Sequence, residues 1–337
     1  MIFSYLAYGL SCISNMPIPG FSPASRDSSS VDLVLTFASL PPDWVRLARS
    51  QVARTCYVKA SQCDAADATY TLTAFGSEDF FELTYSDGAE FVVDGACRRL
   101  WIACRSPLTV DYLATYLRGP VMGFILRRRG VAVLHASAVC IDGRAFALCG
   151  ESGAGKSTAA AAFALMGIPV MCEDITPLST DGREFFVAPG YPQIGLWPDA
   201  VRNLLGSADA LPRWTPSWEK CFLSLEGENA KFEPQKRPCG AIYLLGPRSS
   251  ERNTPRIEEL TQRGAMLDLV KNTYMNWILN PKQRATEFDL LSKLIAQIPV
   301  RRIVPHADSD RIGALCELIE RDAERSMGRS TSSVIPT

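Results

Sequence analysis

Residues 131–158 read VAVLHASAVCIDGRAFALCGESGAGKST, and the reading of this stretch decides the fold. It ends in the pattern G-x-x-x-x-G-K-[ST], met by Gly150, Gly155, Lys156 and Ser157. In such a loop the glycines let successive N–H groups turn toward one anion. The lysine brings a mobile positive charge to the outer phosphates, and the hydroxyl can ligate Mg²⁺. The run Gly150, Glu151, Ser152, Gly153, Ala154, Gly155, Lys156, Ser157 and Thr158 is therefore the candidate phosphate cradle, and a triphosphate such as ATP is its natural guest. The setting agrees. RAFALC (144–149) is a short apolar run suited to a buried strand, and KSTAAAAFALMG is an Ala-rich segment closed by Gly167 as a capped helix would be. Strand, loop, helix is the order that a phosphate loop requires.

What feeds the loop narrows the class. Two apolar runs flank Asp142-Gly143, a two-residue hairpin signal, so the strand entering the loop is expected to be antiparallel to the one before it. Rossmann-like ATPases and GTPases usually reach their loop from a parallel strand preceded by a helix. A different branch of phosphate-loop protein is expected here.

Downstream, IPVMCEDITPL reads as a strand ending in Glu173 and Asp174, one helix and one strand after the loop. Carboxylates there can hold Mg²⁺, directly or through water, or accept a proton from an incoming hydroxyl. His135 lies in an apolar strand, where a histidine is more often a satisfied core or edge residue than a functional one. The other histidine, His306, follows Pro305 in an expected loop and carries no signal. No G-x-S-x-G elbow supports acyl transfer, and no LSGGQ-like signature supports a transport motor.

Bulk properties set the outer limits. At 337 residues, with 35 basic and 36 acidic side chains, the chain can bury a proper core, and its charge suggests neither nucleic acid nor an anionic membrane as a partner. The eleven cysteines are scattered without a C-x-x-C pair, which fits a reducing cytoplasm better than a disulfide framework or a zinc site. No stretch has the roughly 20 uninterrupted apolar residues of a membrane span. The apolar start MIFSYLAYGLSCISNMPIPG lacks a basic n-region and reads as a first strand rather than a signal peptide.

Residues 1–110 are expected to form a β-rich domain. TYTLTAF, DFFELTY, EFVVD and RRLWIAC alternate with Asp-Gly turns, LPPDWVRLARSQVAR adds a short helix, and 20–30 form an exposed loop. From 110 to 129 the apolar spacing is helical with a break at Pro120, and Arg127, Arg128 and Arg129 are expected to complement a helix C-terminus in water, with an anion site as the alternative. Two later stripes, Met266 to Ile278 and Phe288 to Ile298, read as core faces of helices, PVRRIV as a last strand, and Ile312, Leu315 and Ile319 as a last helix. The domains so expected are 1–110, 111–326 and a disordered tail at 327–337. The fold class is mixed α/β, a phosphate-loop core with a β-rich N-terminal domain.

The stretch from LHASAVC through CEDITPL resembles the HPr serine kinase/phosphorylase family, and within it the HPr-kinase-like proteins of ribosomal peptide clusters, including the lasso peptide kinases. The matching elements are the LHAS strand with His135, the Asp-Gly hairpin, the loop, the Gly167 turn and the acidic pair. More weakly, APGYPQIGLWPDA and CGAIYLLG extend the likeness. The resemblance implies a core shared with phosphoenolpyruvate carboxykinases and transfer of the ATP γ-phosphoryl group to a serine hydroxyl. Lys156 would neutralise the phosphates, Ser157 and Asp174 would serve Mg²⁺, Glu173 would act as base, and His135 would lie beside the transferred group. The acceptor implied is a peptide, foremost a lasso precursor, with HPr or free serine next. The chain departs from the family in having Glu173-Asp174 where Asp-Asp is usual. It also lacks the basic residue often seen between YP and LWPD, for which Lys220 is the candidate substitute. A non-catalytic ATP-binding regulator is the rival reading, and a homo-oligomer is left open.

Overall fold

The computed structural model describes residues 1–24, 30–37, 40, 42–50, 54–59, 70–105 and 108–328, and these form two compact units. One comprises Met1–Gly130 with Arg213–Lys220, the other Val131–Pro212 with Cys221–Thr337. The sequence placed the first boundary at 110; here the helical segment that follows groups with the first unit. The tail beyond 328 and residues 25–29 of the expected loop at 20–30 lie outside the described residues.

The first unit is built on an eight-stranded mixed sheet. Its strands are β1 (Phe3–Ala7), β2 (Leu10–Ser14), β3 (Leu33–Phe37), β4 (Arg54–Lys59), β5 (Tyr70–Phe75), β6 (Phe80–Tyr85), β7 (Ala89–Asp94) and β8 (Arg99–Cys104). β5 to β8 make the antiparallel meander that their alternation predicts, while β3 runs parallel to both β2 and β8. A short helix α1 (Pro42–Ser50) buries Trp44 against Phe75. The expected helical break is present. α2 (Val110–Tyr116) and α3 (Met122–Arg128) are joined by a π-helical turn containing Pro120, with Gly119 in a non-helical conformation. The arginine trio does not face water as expected: Arg127 is buried, Arg128 pairs with Glu78 at 2.6 Å, and Arg129 pairs with Asp32 at 3.2 Å.

The second unit holds the glycine-rich loop at 150–155. Its elements are β9 (Ala132–Ile141), β10 (Arg144–Cys149), α4 (Lys156–Leu165), β11 (Val170–Cys172), β12 (Ile175–Thr180), β13 (Phe185–Val187), β14 (Gln193–Leu196), α5 (Pro198–Leu205) and β15 (Cys221–Ser224). After them come β16 (Arg237–Leu245), β17 (Arg256–Glu259), α6 (Gln262–Lys271), α7 (Pro281–Gln297), β18 (Val300–Val304) and α8 (Ile312–Gly328). β9 and β10 form the expected antiparallel hairpin, with Asp142 and Gly143 both at positive φ. β10 also runs parallel to β16, and β16 parallel to β18, so three strand ends leave the sheet on one edge.

Helices cover both faces of this sheet. Phe146 and Leu148 of β10 point to a core with α4 and α8, whereas Ala145, Ala147 and Cys149 point to a core with α6 and α7. That is why RAFALC reads as an unbroken apolar run: neither face meets water. Ala159 to Ala164 are all buried, and small side chains let α4 sit close to the sheet and α8 at once. The C-terminal stripes are core only in part. Leu269, Leu291 and Leu294 are buried, but Val270 and Phe288 are exposed.

Candidate active site

The loop is shaped by its glycines. A Cβ on Gly150 would lie 3.0 Å from both the Leu245 carbonyl oxygen and the Ala154 Cβ, so only glycine lets the chain leave β10 this close to β16. Gly155 stands at φ 101 as the N-cap of α4 and turns the loop into the helix. The positive end of that helix then faces whatever the loop holds. Lys156 is buried, and its ammonium donates to the carbonyls of Gly150 at 2.8 Å and Glu151 at 3.0 Å. Those oxygens stand where phosphate oxygens would compete for the same donor.

The acidic pair divides. Glu173 is buried; one carboxylate oxygen accepts from the Ser157 hydroxyl at 2.8 Å and the other lies 3.4 Å from the Tyr191 hydroxyl. Asp174 is half-exposed and meets His135 Nε2 at 2.8 Å. The separation comes from one tight turn. Ile175 N–H donates to the Glu173 carbonyl at 2.8 Å, with Asp174 between them at φ 65. An i to i+2 turn around a non-glycine residue at positive φ is strained. It sends neighbouring side chains to different partners, which an extended strand would do only by pointing them to opposite faces.

His135 is fixed by its strand. Its N–H donates to the Asn272 carbonyl at 2.7 Å, it lies opposite Ile175 in the β9–β12 register, and its ring meets Tyr274 edge-on at 6.1 Å. Two residues along, and so on the same face of β9, Ser137 is fully buried and its hydroxyl oxygen has no hydrogen-bond partner among the described residues. Below the site, burial pushes the Cys149 and Cys172 thiols up to about 12, which leaves them inert.

Among the candidates from the sequence, the loop residues, Glu173, Asp174 and His135 belong to the second unit and the bonds above join them. Lys220 falls in the first, where its ammonium lies 5.2 Å from the Trp214 ring centroid and 5.8 Å from that of Trp218. Ser137 and Tyr191 stand in the quoted LHAS and YP stretches and Tyr274 in the Met266 to Ile278 stripe, but sequence reasoning gave none of the three a role. Among the described residues no group of three or more His, Cys, Asp or Glu could hold a metal ion. A Mg²⁺ ion does not require one: it keeps several waters and binds through one or two carboxylates together with substrate phosphates. Ser157 with Glu173 fits that pattern. No helix among the described residues is long and apolar enough to cross a membrane.

Comparison with known proteins adds little. No family model matches the chain, and neither does any curated protein. Among solved structures, an HPr(Ser) kinase/phosphatase from Coxiella burnetii aligns with a TM-score of 0.32 and 14% identity, over 59% of this chain and 95% of that one. At that score the likeness carries no assignment, and the site has to be read from its own residues.

Proposed function

We propose that this chain is an ATP- and Mg²⁺-dependent phosphotransferase that passes the γ-phosphoryl group to a hydroxyl, with the serine of a peptide as acceptor. The observation that carries the reading is the split acidic pair: one carboxylate on the loop hydroxyl, the other on a histidine. Phosphoryl transfer needs positioning and charge neutralisation more than covalent help, and these groups supply both.

The roles follow from the partners. Glu173, bonded to Ser157, stands on the metal side. Asp174, more exposed and held by His135, accepts the proton of the incoming hydroxyl as its oxygen bonds to phosphorus and the bond to the leaving diphosphate breaks. This is the reverse of the division that the family resemblance implied. Lys156 turns from the loop carbonyls to the outer phosphates, and Ser137 donates to a phosphate or acceptor oxygen. Bound Mg²⁺ supplies charge neutralisation across the phosphates. A ribosomally made peptide of the lasso-precursor kind is the acceptor that the sequence resemblance favours, with HPr and free serine next.

The test is mass spectrometry of a lasso precursor peptide, HPr and free serine after incubation with the protein, Mg²⁺ and ATP, with Lys156→Ala as control. Gain of one phosphoryl group on one acceptor, seen with the wild type alone, is expected. Asp174→Asn should then lower the rate by about 10²–10⁴-fold with nucleotide still bound, the range typical of a lost general base. Glu173→Gln should instead raise the Mg²⁺ concentration required. No transfer to any acceptor, with ATP bound, would favour a nucleotide-binding regulator and sink the kinase reading.

A further inference from the structure

Beside the loop, and unused by the chemistry above, lies a shallow, open surface cleft lined in part by Arg248, His306, Asp308, Arg311, Ile312 and Leu315. The topology builds it. β10, β16 and β18 are neighbouring parallel strands, and the segments leaving their ends are the phosphate loop, Gly246–Arg248 and Pro305–Arg311. In open α/β sheets, ligands bind in the crevice outside the carboxyl ends of such strands. The two outer segments are tied together: Ser249 N–H donates to the Pro305 carbonyl at 2.9 Å, and Ala307 N–H to the Ser249 carbonyl at 2.9 Å.

Its chemistry differs from that of the phosphate cradle. Ile312 and Leu315 pack on the buried core and give an apolar floor. Arg248 lies against the loop, since a Cβ on Gly155 would fall 3.1 Å from its Nη2. No carboxylate lies within ion-pair distance of Arg248 or Arg311 among the described residues, although the chain pairs many of its other arginines. A guanidinium plane can stack on a base or bond to a ribose or phosphate oxygen. His306 Nδ1 accepts from Asp308 N–H at 3.0 Å, which leaves Nε2 as the donor of the neutral ring. An apolar floor, two planar cations and a fixed polar edge suit a flat heterocycle and its sugar.

We infer that this cleft holds the nucleoside half of the nucleotide, with Arg248 and Arg311 as the residues that fix base and ribose. The inference rests on the proposal that the loop binds a nucleotide, and the two fail differently. Calorimetric titration of the full chain with Mg-ATP and with Mg-tripolyphosphate, which has the phosphates but no nucleoside, separates them. The wild type is expected to bind ATP at least about tenfold more tightly than tripolyphosphate, and Arg248→Ala or Arg311→Ala to remove about tenfold from ATP while leaving tripolyphosphate unchanged. Both arginines are exposed, so neither replacement disturbs the core. Equal affinity for the two ligands in the wild type, or equal loss of both in the variants, overturns the nucleoside site and leaves the loop reading intact. Binding of neither ligand by the wild type overturns both.

Discussion

β6 and β10 are strands of equal length in different units, and their contrast explains which substitutions each unit tolerates. β6 (FFELTY) alternates between buried and partly exposed residues, while β10 (RAFALC) is buried at every position after Arg144. An antiparallel meander can leave one face to water, whereas parallel strands between helices cannot. β6 therefore accommodates a carboxyl in its middle and β10 accommodates none.

That carboxyl, Glu82, already feels its surroundings. Burial, then a hydrogen bond with Glu90 and the Glu90 charge, push Glu82 up to about 8, and Arg105 pulls the other way. Glu90 is buried with Arg105 at 3.1 Å, so the fold holds one proton and one cation around two acids.

The contrast can be broken most forcefully at Ala147, which is fully buried on β10. Ala147→Asp would bury a charge with no partner, a cost of several kcal/mol. The second unit is expected not to fold, and hydrogen exchange across 131–328 would show it. Native protection there would refute the two-sided burial. Next, Phe146→Ala removes a ring packed between α4 and Tyr243, and should cost about 3–5 kcal/mol by denaturant titration. A cost below about 1 kcal/mol would mean that the core collapses around the gap.

Glu82→Gln sharpens the comparison from the other side. Because the folded value lies above the ordinary value of 4.5, the folded state binds more protons than the unfolded state between the two. The stabilisation is fully present below about 4.5 and is lost as pH rises through about 8. Gln carries no such proton, so the fall in stability between pH 5 and 8 should flatten in the variant. An unchanged slope would place the titration elsewhere. The smallest effect is expected at Thr84, partly exposed on the same strand, where Thr84→Ala should change stability by about 0.5 kcal/mol or less in the same titration.

Legibility in the sequence followed the distance over which each feature is made. The Asp142-Gly143 hairpin, the loop glycines and the helix after Lys156 are local and were readable. The sequence placed the acidic pair after the loop but grouped Asp174, not Glu173, with Ser157. The different partners of Glu173 and Asp174 were not readable, because a single residue at positive φ decides them and no sequence pattern marks it. Val270 and Phe288 misled for a different reason: apolar periodicity names a stripe on a helix, but not which of its residues the rest of the fold covers. The Arg127 to Arg129 run looked like one solvated cluster and became three separate environments, since successive helical side chains point about 100° apart.

By itself the sequence determined a glycine-rich loop between strand and helix, an antiparallel strand leading into it and a carboxylate pair following it, because each is set by residues close together in the chain. Tertiary structure alone decided which carboxylate meets the hydroxyl and which the histidine, left Ser137 without a partner among the described residues, and drew Arg248 and Arg311 to the edge of the loop. Those relations depend on register between strands far apart in sequence, and register is set by the packing of the whole sheet.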